Sequence, residues 1–415
     1  MSGAPPPARV FDRALAEAVF VDAVRACDPA RLVREAVAAP ALAAWLGPGW
    51  WGLAVGKAAL AMARGAGPVV RGLVVAPVAG AVPPGWELIV AAHPVPDDRS
   101  VRAGVAALAL VEAAAPPVRV LALMSGGASA LLEVPRGDLA ELVATTRALA
   151  AAGAPIAELN AVRTALSTVK GGELAARCAV PVATLAISDV VGDDLAVIGS
   201  GPTVRPTGAA VDARARDILD AYGEAWPAAL AEPAPSARAP SGERDDARAD
   251  DRAVLLAPLA AFADAAHAAL VARGVPARLL ATPLVGDVHA VAAALVATPG
   301  PLVAWGEPTV RLPAAHGEGG RAQQLALALA AQLRGGARAA LVIGSDGVDG
   351  PAPHERPTPA GAFVDGTTWD AIEAAGIDPA AALARCDAGP ALAAVGALVV
   401  IGPTGENHAD LVLIA

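Results

Sequence analysis

Short unbroken runs of apolar residues alternate along this chain with longer stretches in which apolar residues recur every three or four positions. The runs end on small or polar residues. Trp51–Val55 leads into Gly56-Lys57 and an Ala-rich helical stretch from Ala58. Gly72–Pro77 and Leu88–Ala92 read as short buried strands, the second ending at His93-Pro94. Val118–Met124 stops at Ser125-Gly126-Gly127, and Val182–Ile187 stops at Ser188-Asp189. Helical spacing covers Phe11–Ala39, Val101–Ala114, Asp138–Ala152 and, interrupted near Gly171-Gly172, Asn160–Ala176. Strands without polar alternation, set between helices, predict a mostly parallel open sheet. In such sheets ligands collect beyond the carboxyl ends of the strands.

The pattern breaks at Glu232–Arg252, which is rich in Pro, Ser and charge and has no apolar periodicity. It then resumes. A helix lies within Leu256–Arg273, Val303–Trp305 begins a motif, and Ala322–Leu333 is helical. Ala340–Ile343 is a strand ending at Gly344-Ser345-Asp346, and Leu398–Ile401 and Leu411–Ile414 are late strands. The expected organisation is an N-terminal α/β domain over residues 1–231, a linker or mobile loop over 232–252, and a C-terminal α/β domain over 253–415. A length of 415 residues agrees with two domains rather than one core.

Composition narrows the classes. Hydrophobic residues make up 55% and aromatics 3%, which suits close-packed α/β layers of small side chains. The net charge is −10 and no basic stretch stands out, so a nucleic-acid or anionic-membrane surface is not expected. Two long uncharged runs, Ala36–Gly56 and Ala388–Gly405, are broken by Pro and Gly and cannot hold a membrane-spanning helix of about 20 residues. The N-terminal residues carry early prolines and charges and no apolar signal core. Cys27, Cys178 and Cys386 are far apart and odd in number, which points to a reducing cytoplasm and no zinc site.

Candidate chemistry gathers at strand ends. Lysine occurs only twice, as Lys57 and Lys170, beside 29 arginines. A compact flexible ammonium is not interchangeable with a planar guanidinium at a phosphate site, so both lysines are candidates for anion contacts. Strand, Gly56-Lys57 and helix form a phosphate-binding kind of turn, although the spacing is not that of a Walker loop. Ser125, Gly126, Gly127 and Ser129 offer backbone amides and hydroxyls to an anion. Asp189, Asp193 and Asp194 follow a buried strand and suit magnesium or the orientation of a hydroxyl, with Gly199-Ser200-Gly201 just beyond. Glu307 sits in Gly306-Glu307-Pro308-Thr309, and Arg321 opens a helix after Gly317-Glu318-Gly319-Gly320. A cation is disfavoured at that helix end, so Arg321 points to an anionic ligand. Ser345-Asp346-Gly347-Val348-Asp349-Gly350 lacks the later Glu of a calcium loop. The only asparagines, Asn160 and Asn407, fall inside such segments. No GxGxxG with an acidic partner follows a strand, so a dinucleotide site is not supported.

Taken together, these segments resemble the glycerate 2-kinase family of the MOFRL type, some of whose members carry the older label hydroxypyruvate reductase. The stretches that carry the resemblance are VGKAALAMA (55–63), HPVPDDRS (93–100), LMSGGASALL (123–132), LNAVRTALSTVKGGELA (159–175), ISDVVGDDLAVIGSGPT (187–203), GEPTV (306–310), GEGGRAQQLALA (317–328), IGSDGVDGP (343–351), AGAFVD (360–365) and TGENHADL (404–411). They keep the family's order over nearly the whole chain. The chain departs from the family at Ala128, Ala322, Gln324, Glu406, His408 and Ala409.

The resemblance implies two Rossmann-like α/β domains with mostly parallel sheets and an interdomain active-site cleft. It implies transfer of a phosphoryl group from ATP, with Mg2+, to D-glycerate, usually at the 2-hydroxyl. The family's essential lysine falls on Lys57 and its essential arginine on Arg321. On this reading Asp189, with Asp193, holds magnesium or orients the hydroxyl. Ser125–Ser129 cradles an anion, and Lys170 with Arg163 forms a second positive wall. Asn160, Gly201, Glu307, Asp346 and Asn407 complete the expected binding set. The expected partner is a small hydroxy acid, with a homodimer left open. The rival readings are an NAD(P)H-dependent hydroxypyruvate reductase and a non-catalytic binder of a small anion.

Overall fold

The computed structural model describes residues 11–204, 211–231, 250–351, 357–405 and 408–415. The chain divides into two compact units, Pro29–Pro258 and a second that joins the N-terminal residues through Asp28 to Leu259–Ala415. Among the described residues no helix is long and apolar enough to cross a membrane.

The Pro29–Pro258 unit is built on β1 (Trp51–Val55), β2 (Arg71–Ala76), β3 (Trp86–Val90), β4 (Val120–Met124), β5 (Val182–Ile187) and β6 (Arg252–Ala257). Their order is β3-β2-β1-β4-β5-β6 and every pairing is parallel. The fully buried runs Val-Leu-Ala-Leu-Met of β4 and Val-Ala-Thr-Leu-Ala-Ile of β5 are what a sheet covered on both faces requires. Gly52 and Gly72 are set by packing: a Cβ on either would stand within 2.2–2.6 Å of the Trp86 ring. The strand order reverses between β1 and β4, which places the topological switch point at their carboxyl ends.

The second unit carries β7 (Arg278–Leu279), β8 (Leu302–Gly306), β9 (Ala339–Gly344), β10 (Gly361–Asp365), β11 (Leu398–Val399) and β12 (Asp410–Ile414), in the order β11-β10-β9-β12-β8-β7. Here the expected parallel character fails. Only β7 and β8 pair in parallel, and the other four pairings are antiparallel. The last strand, β12, inserts between β8 and β9 and runs against both. Side chains alternate across the sheet: Leu341, Ile343, Leu411 and Leu413 join one core and Ala340, Val342, Val412 and Ile414 the other. The helix Arg321–Leu333 is buried at every residue from Ala322 to Ala330, so it forms the spine of its layer.

The domain boundaries differ from those expected. The helical pattern over 11–39 is two helices, Arg13–Cys27 and Pro29–Ala38, broken where Pro29 disfavours helix at Asp28. The first helix buries Leu15, Val19, Phe20 and Ala23 in the second unit, with Phe20 edge-on to Phe262 at 5.4 Å. The chain therefore passes between units after Asp28 and after Pro258, rather than once in 232–252. Residues 253–257, read as the start of the second domain, belong with Arg252 to the edge strand Arg252–Ala257 of the first sheet. The stretch 232–249 lies outside the described residues.

Candidate active site

In the Pro29–Pro258 unit the switch point brings two predicted turns together. Val55 and Met124 are register partners, so Gly56-Lys57 and Ser125-Gly126-Gly127 leave the sheet side by side. Lys57 N donates to Gly126 O at 2.8 Å, and Ala58 N donates to Ser125 Oγ at 3.1 Å. Gly56 has φ +131°, and a Cβ there would stand 2.2 Å from Ser125 Oγ, so only glycine lets the turns touch. Gly127, at φ +84°, has the Lys57 Cγ at 3.3 Å and the His93 Nε2 at 3.2 Å from where its Cβ would be. Lys57, His93 and the glycine turn thus converge.

Further residues line the same edge. Ser129 Oγ lies 2.5 Å from Ser200 Oγ. Ser200 is buried at φ +64° between Gly199 and Gly201, also in the left-handed region. This turn receives the backbone of Gly171 and Gly172, whose N–H groups donate to Ser200 O at 2.9 Å and Gly201 O at 2.7 Å. Asp189 and Asp193 lie half-buried on the loop after β5. Asn160 and Arg163 are half-buried on the helix Ile156–Ala165.

Lys170 is placed differently from expectation. It is 1% exposed and ion-paired with Glu133, which is 0% exposed. Burial pushes its ammonium down in pKa and Glu133 pulls it back up, so Lys170 is part of a buried ion pair rather than an open positive wall. Arg163 lies close enough to that pair to feel Glu133 and to act on Lys170. Burial lowers its pKa against the pull of Glu133, and its Nε and Nη2 are buried with no hydrogen-bond partner among the described residues. One carboxylate thus faces two cations, and Arg163 carries the surplus charge. Glu133, distant in sequence from both, had no signal beyond being a lone acid in an apolar run.

In the second unit a cavity of about 310 Å³ opens at the end of the sheet where β8 and β9 finish and β12 begins, lined by Glu307, Arg321, Ser345, Asp346, Asp349 and Asp410 among others. Arg321 grips Asp410 through two bonds, Nε to Oδ2 at 2.6 Å and Nη2 to Oδ1 at 3.0 Å, with Glu307 at 3.4 Å. Asp349 caps the Arg321 helix, accepting from Ala322 N at 2.9 Å and Gln323 N at 2.8 Å. A Cβ on Gly320 would meet that carboxylate at 2.2 Å. Burial pushes the Asp410 carboxyl up to about 6; Arg321 opposes this, while Asp349 and Glu307 add to it. Burial raises Asp349 as well, against the bonds that the helix end donates.

The cation at a helix start is therefore held by protein carboxylates, which the argument from helix polarity alone missed. Nη1 is not used in these bonds. Asp346 closes its own turn by accepting from Val348 N at 3.0 Å. Ser345 Oγ accepts from His408 N at 2.7 Å, which ties the 402–410 turn to the strand end. Asn407 and Glu406 lie outside the described residues.

One unit is a doubly wound α/β fold with a lysine and glycine turns at its switch point, and the other is an α/β unit with a carboxylate-held arginine. Residues 15–232 match a domain described as a domain of unknown function, DUF4147, and residues 301–410 match the MOFRL family. A D-glycerate 2-kinase of Thermotoga maritima is 34% identical over 87% of this chain and 89% of its own length. A putative hydroxypyruvate reductase of Agrobacterium vitis is 38% identical over 86% of this chain and 84% of its own. The crystal structure of a Thermotoga maritima glycerate kinase superposes with a TM-score of 0.82 at 31% identity, covering 97% of this chain and 98% of that one. The chain belongs to the MOFRL-type glycerate 2-kinase family.

Proposed function

We propose that this chain is an ATP-dependent kinase that phosphorylates a hydroxyl of D-glycerate or a close small hydroxy acid, giving 2-phosphoglycerate and ADP. The observation that carries this is the meeting of Lys57 with the Ser125-Gly126-Gly127 turn at the switch point between β1 and β4. Phosphoryl transfer asks little covalent chemistry of a protein; it needs in-line positioning and neutralised charge. Lys57 neutralises the transferring group. Arg163, near a buried Lys170–Glu133 pair that does not neutralise it, fixes an anionic group of the substrate. Arg321 holds the substrate carboxylate or transferring oxygens, and its two bonds to Asp410 fix the plane of its guanidinium.

Asp189 and Asp193 supply only oxygen donors on one loop, and among the described residues no group of three or more His, Cys, Asp or Glu could hold a metal ion. Two carboxylates fit magnesium, which commonly takes one or two of them together with substrate phosphates and water. Bound there, magnesium would neutralise phosphate charge. Asp189→Asn is expected to lower turnover at least about tenfold and to raise the magnesium required. Unchanged turnover and magnesium dependence would leave Asp189 a turn residue.

The deciding experiment is coupled ADP release across small hydroxy acids, run beside NADH oxidation with hydroxypyruvate. The reductase reading has the printed name of the Agrobacterium vitis relative in its favour. ADP release without NADH oxidation supports the kinase; the reverse result overturns it.

A further inference from the structure

His93 lies three residues beyond β3 at the carboxyl edge of the parallel sheet, on a segment whose sequence reading assigned it no role. The residue is exposed, yet its ring packs against the glycine turn, with Nε2 3.2 Å from where a Gly127 Cβ would be and the Lys57 stem 3.3 Å from the same point. The imidazole edge and the Lys57 stem therefore meet at one small volume beside the Ser125–Gly127 turn, and the lysine charge acts on the ring. Any side chain at position 127 would stand in it.

The charged groups that act on this ring are Lys57, from the turn after β1, and Arg163, from the helix Ile156–Ala165. Both are cations. Desolvation by the packed turn acts first, and the two cations add to it, holding the imidazole below its ordinary 6.5. At neutral pH the ring is uncharged. It is thus a free acceptor among cations, the converse of Lys57 and Arg163, which can only donate.

We propose that His93 accepts the proton of the substrate hydroxyl as that hydroxyl is phosphorylated. This rests on the kinase reading above. The hydroxyl oxygen bonds to the γ-phosphorus of the nucleoside triphosphate. The bond from that phosphorus to the bridging oxygen breaks, and its electron pair leaves with the diphosphate. The hydroxyl proton passes to the imidazole and from there to water. The ring fits this task by position as well as charge state, since it meets the Lys57 stem beside the Gly127 turn. The neighbouring cations also favour early release of the proton it has taken.

The test uses the full chain with ATP, magnesium and D-glycerate, comparing wild type with His93→Gln and His93→Ala across pH. A loose transition state needs only modest help from a base, so kcat is expected to fall about tenfold to a hundredfold, with KM changing less than about threefold. Wild-type kcat/KM is expected to fall on the acid side below pH 6.5, and both variants to lose that limb. Added imidazole is expected to restore part of the His93→Ala rate. A His93→Gln variant that keeps the wild-type rate, or an acid limb unmoved in both variants, overturns the proposal while the kinase reading stands. A wild type that releases no ADP with any hydroxy acid overturns both.

Discussion

Lys57→Ala is expected to lower turnover by about 10²–10³-fold while leaving folding stability within about 0.5 kcal/mol. The two halves of this expectation have separate causes. On the proposed reading the ammonium meets developing phosphate charge at the switch point. Losing one such contact costs about 3–4 kcal/mol of transition-state stabilisation. The backbone of the turn, by contrast, is held by Gly56, Ser125 and Gly126 through main-chain and hydroxyl bonds that do not involve the lysine side chain. Lys57→Arg is expected to recover little, because a wide planar fork cannot take the place of a compact ammonium against Gly127. ADP-release kinetics with a thermal melt on the same samples checks both halves. Near-normal turnover in Lys57→Ala would remove the lysine from the mechanism.

Arg321→Ala is expected to lower turnover by about 10³-fold, as loss of a transition-state arginine does elsewhere. It should also destabilise the fold in a pH-dependent way. Asp410 is 6% exposed and Arg321 33%, so the pair is buried at one end only. Breaking a fully buried pair costs about 3–5 kcal/mol; partial exposure of the arginine reduces this to about 2–3. The Asp410 carboxyl already stands at about 6 in the fold, above its ordinary 3.8, and without Arg321 it rises further. A carboxyl with a raised folded pKa favours folding below its ordinary value, and that advantage is lost as pH climbs to the folded value. The variant loses stability over a wider span than the wild type. Its deficit should therefore be small at pH 5, open above pH 6 and be full near pH 8. Denaturant titrations at those pH values measure it. A deficit independent of pH would mean that Asp410 is not what the arginine supports.

Much of the turn geometry at the switch point was legible in the sequence. A strand that ends on Gly-Lys or Ser-Gly-Gly exposes backbone amides at the sheet edge whatever its neighbours are, so both turns were legible as local pattern, while the role of Lys57 came from the family resemblance. Lys170 was misplaced because a lone lysine beside two glycines looks the same on a surface as in a core. Only the contact with Glu133, 37 residues away, distinguishes them. His93 was passed over because a single histidine before a proline has no pattern; its neighbours arrive from β1 and β4.

What the sequence determined by itself was the position of strands and helices and the chemistry at their ends. Trp51–Val55 and Val182–Ile187 are strands with the predicted bounds because an unbroken apolar run closed by small or polar residues is a relation between near neighbours in the chain. The tertiary structure decided the rest. It set the strand order that makes β1 and β4 neighbours, the antiparallel insertion of β12, and the transfer of the Arg13–Cys27 helix to the second unit. It also joined Arg321 to Asp410 across 89 residues. These depend on which apolar faces cover one another and which buried charges must be paired. Both are properties of residues far apart in the chain, which local periodicity does not encode.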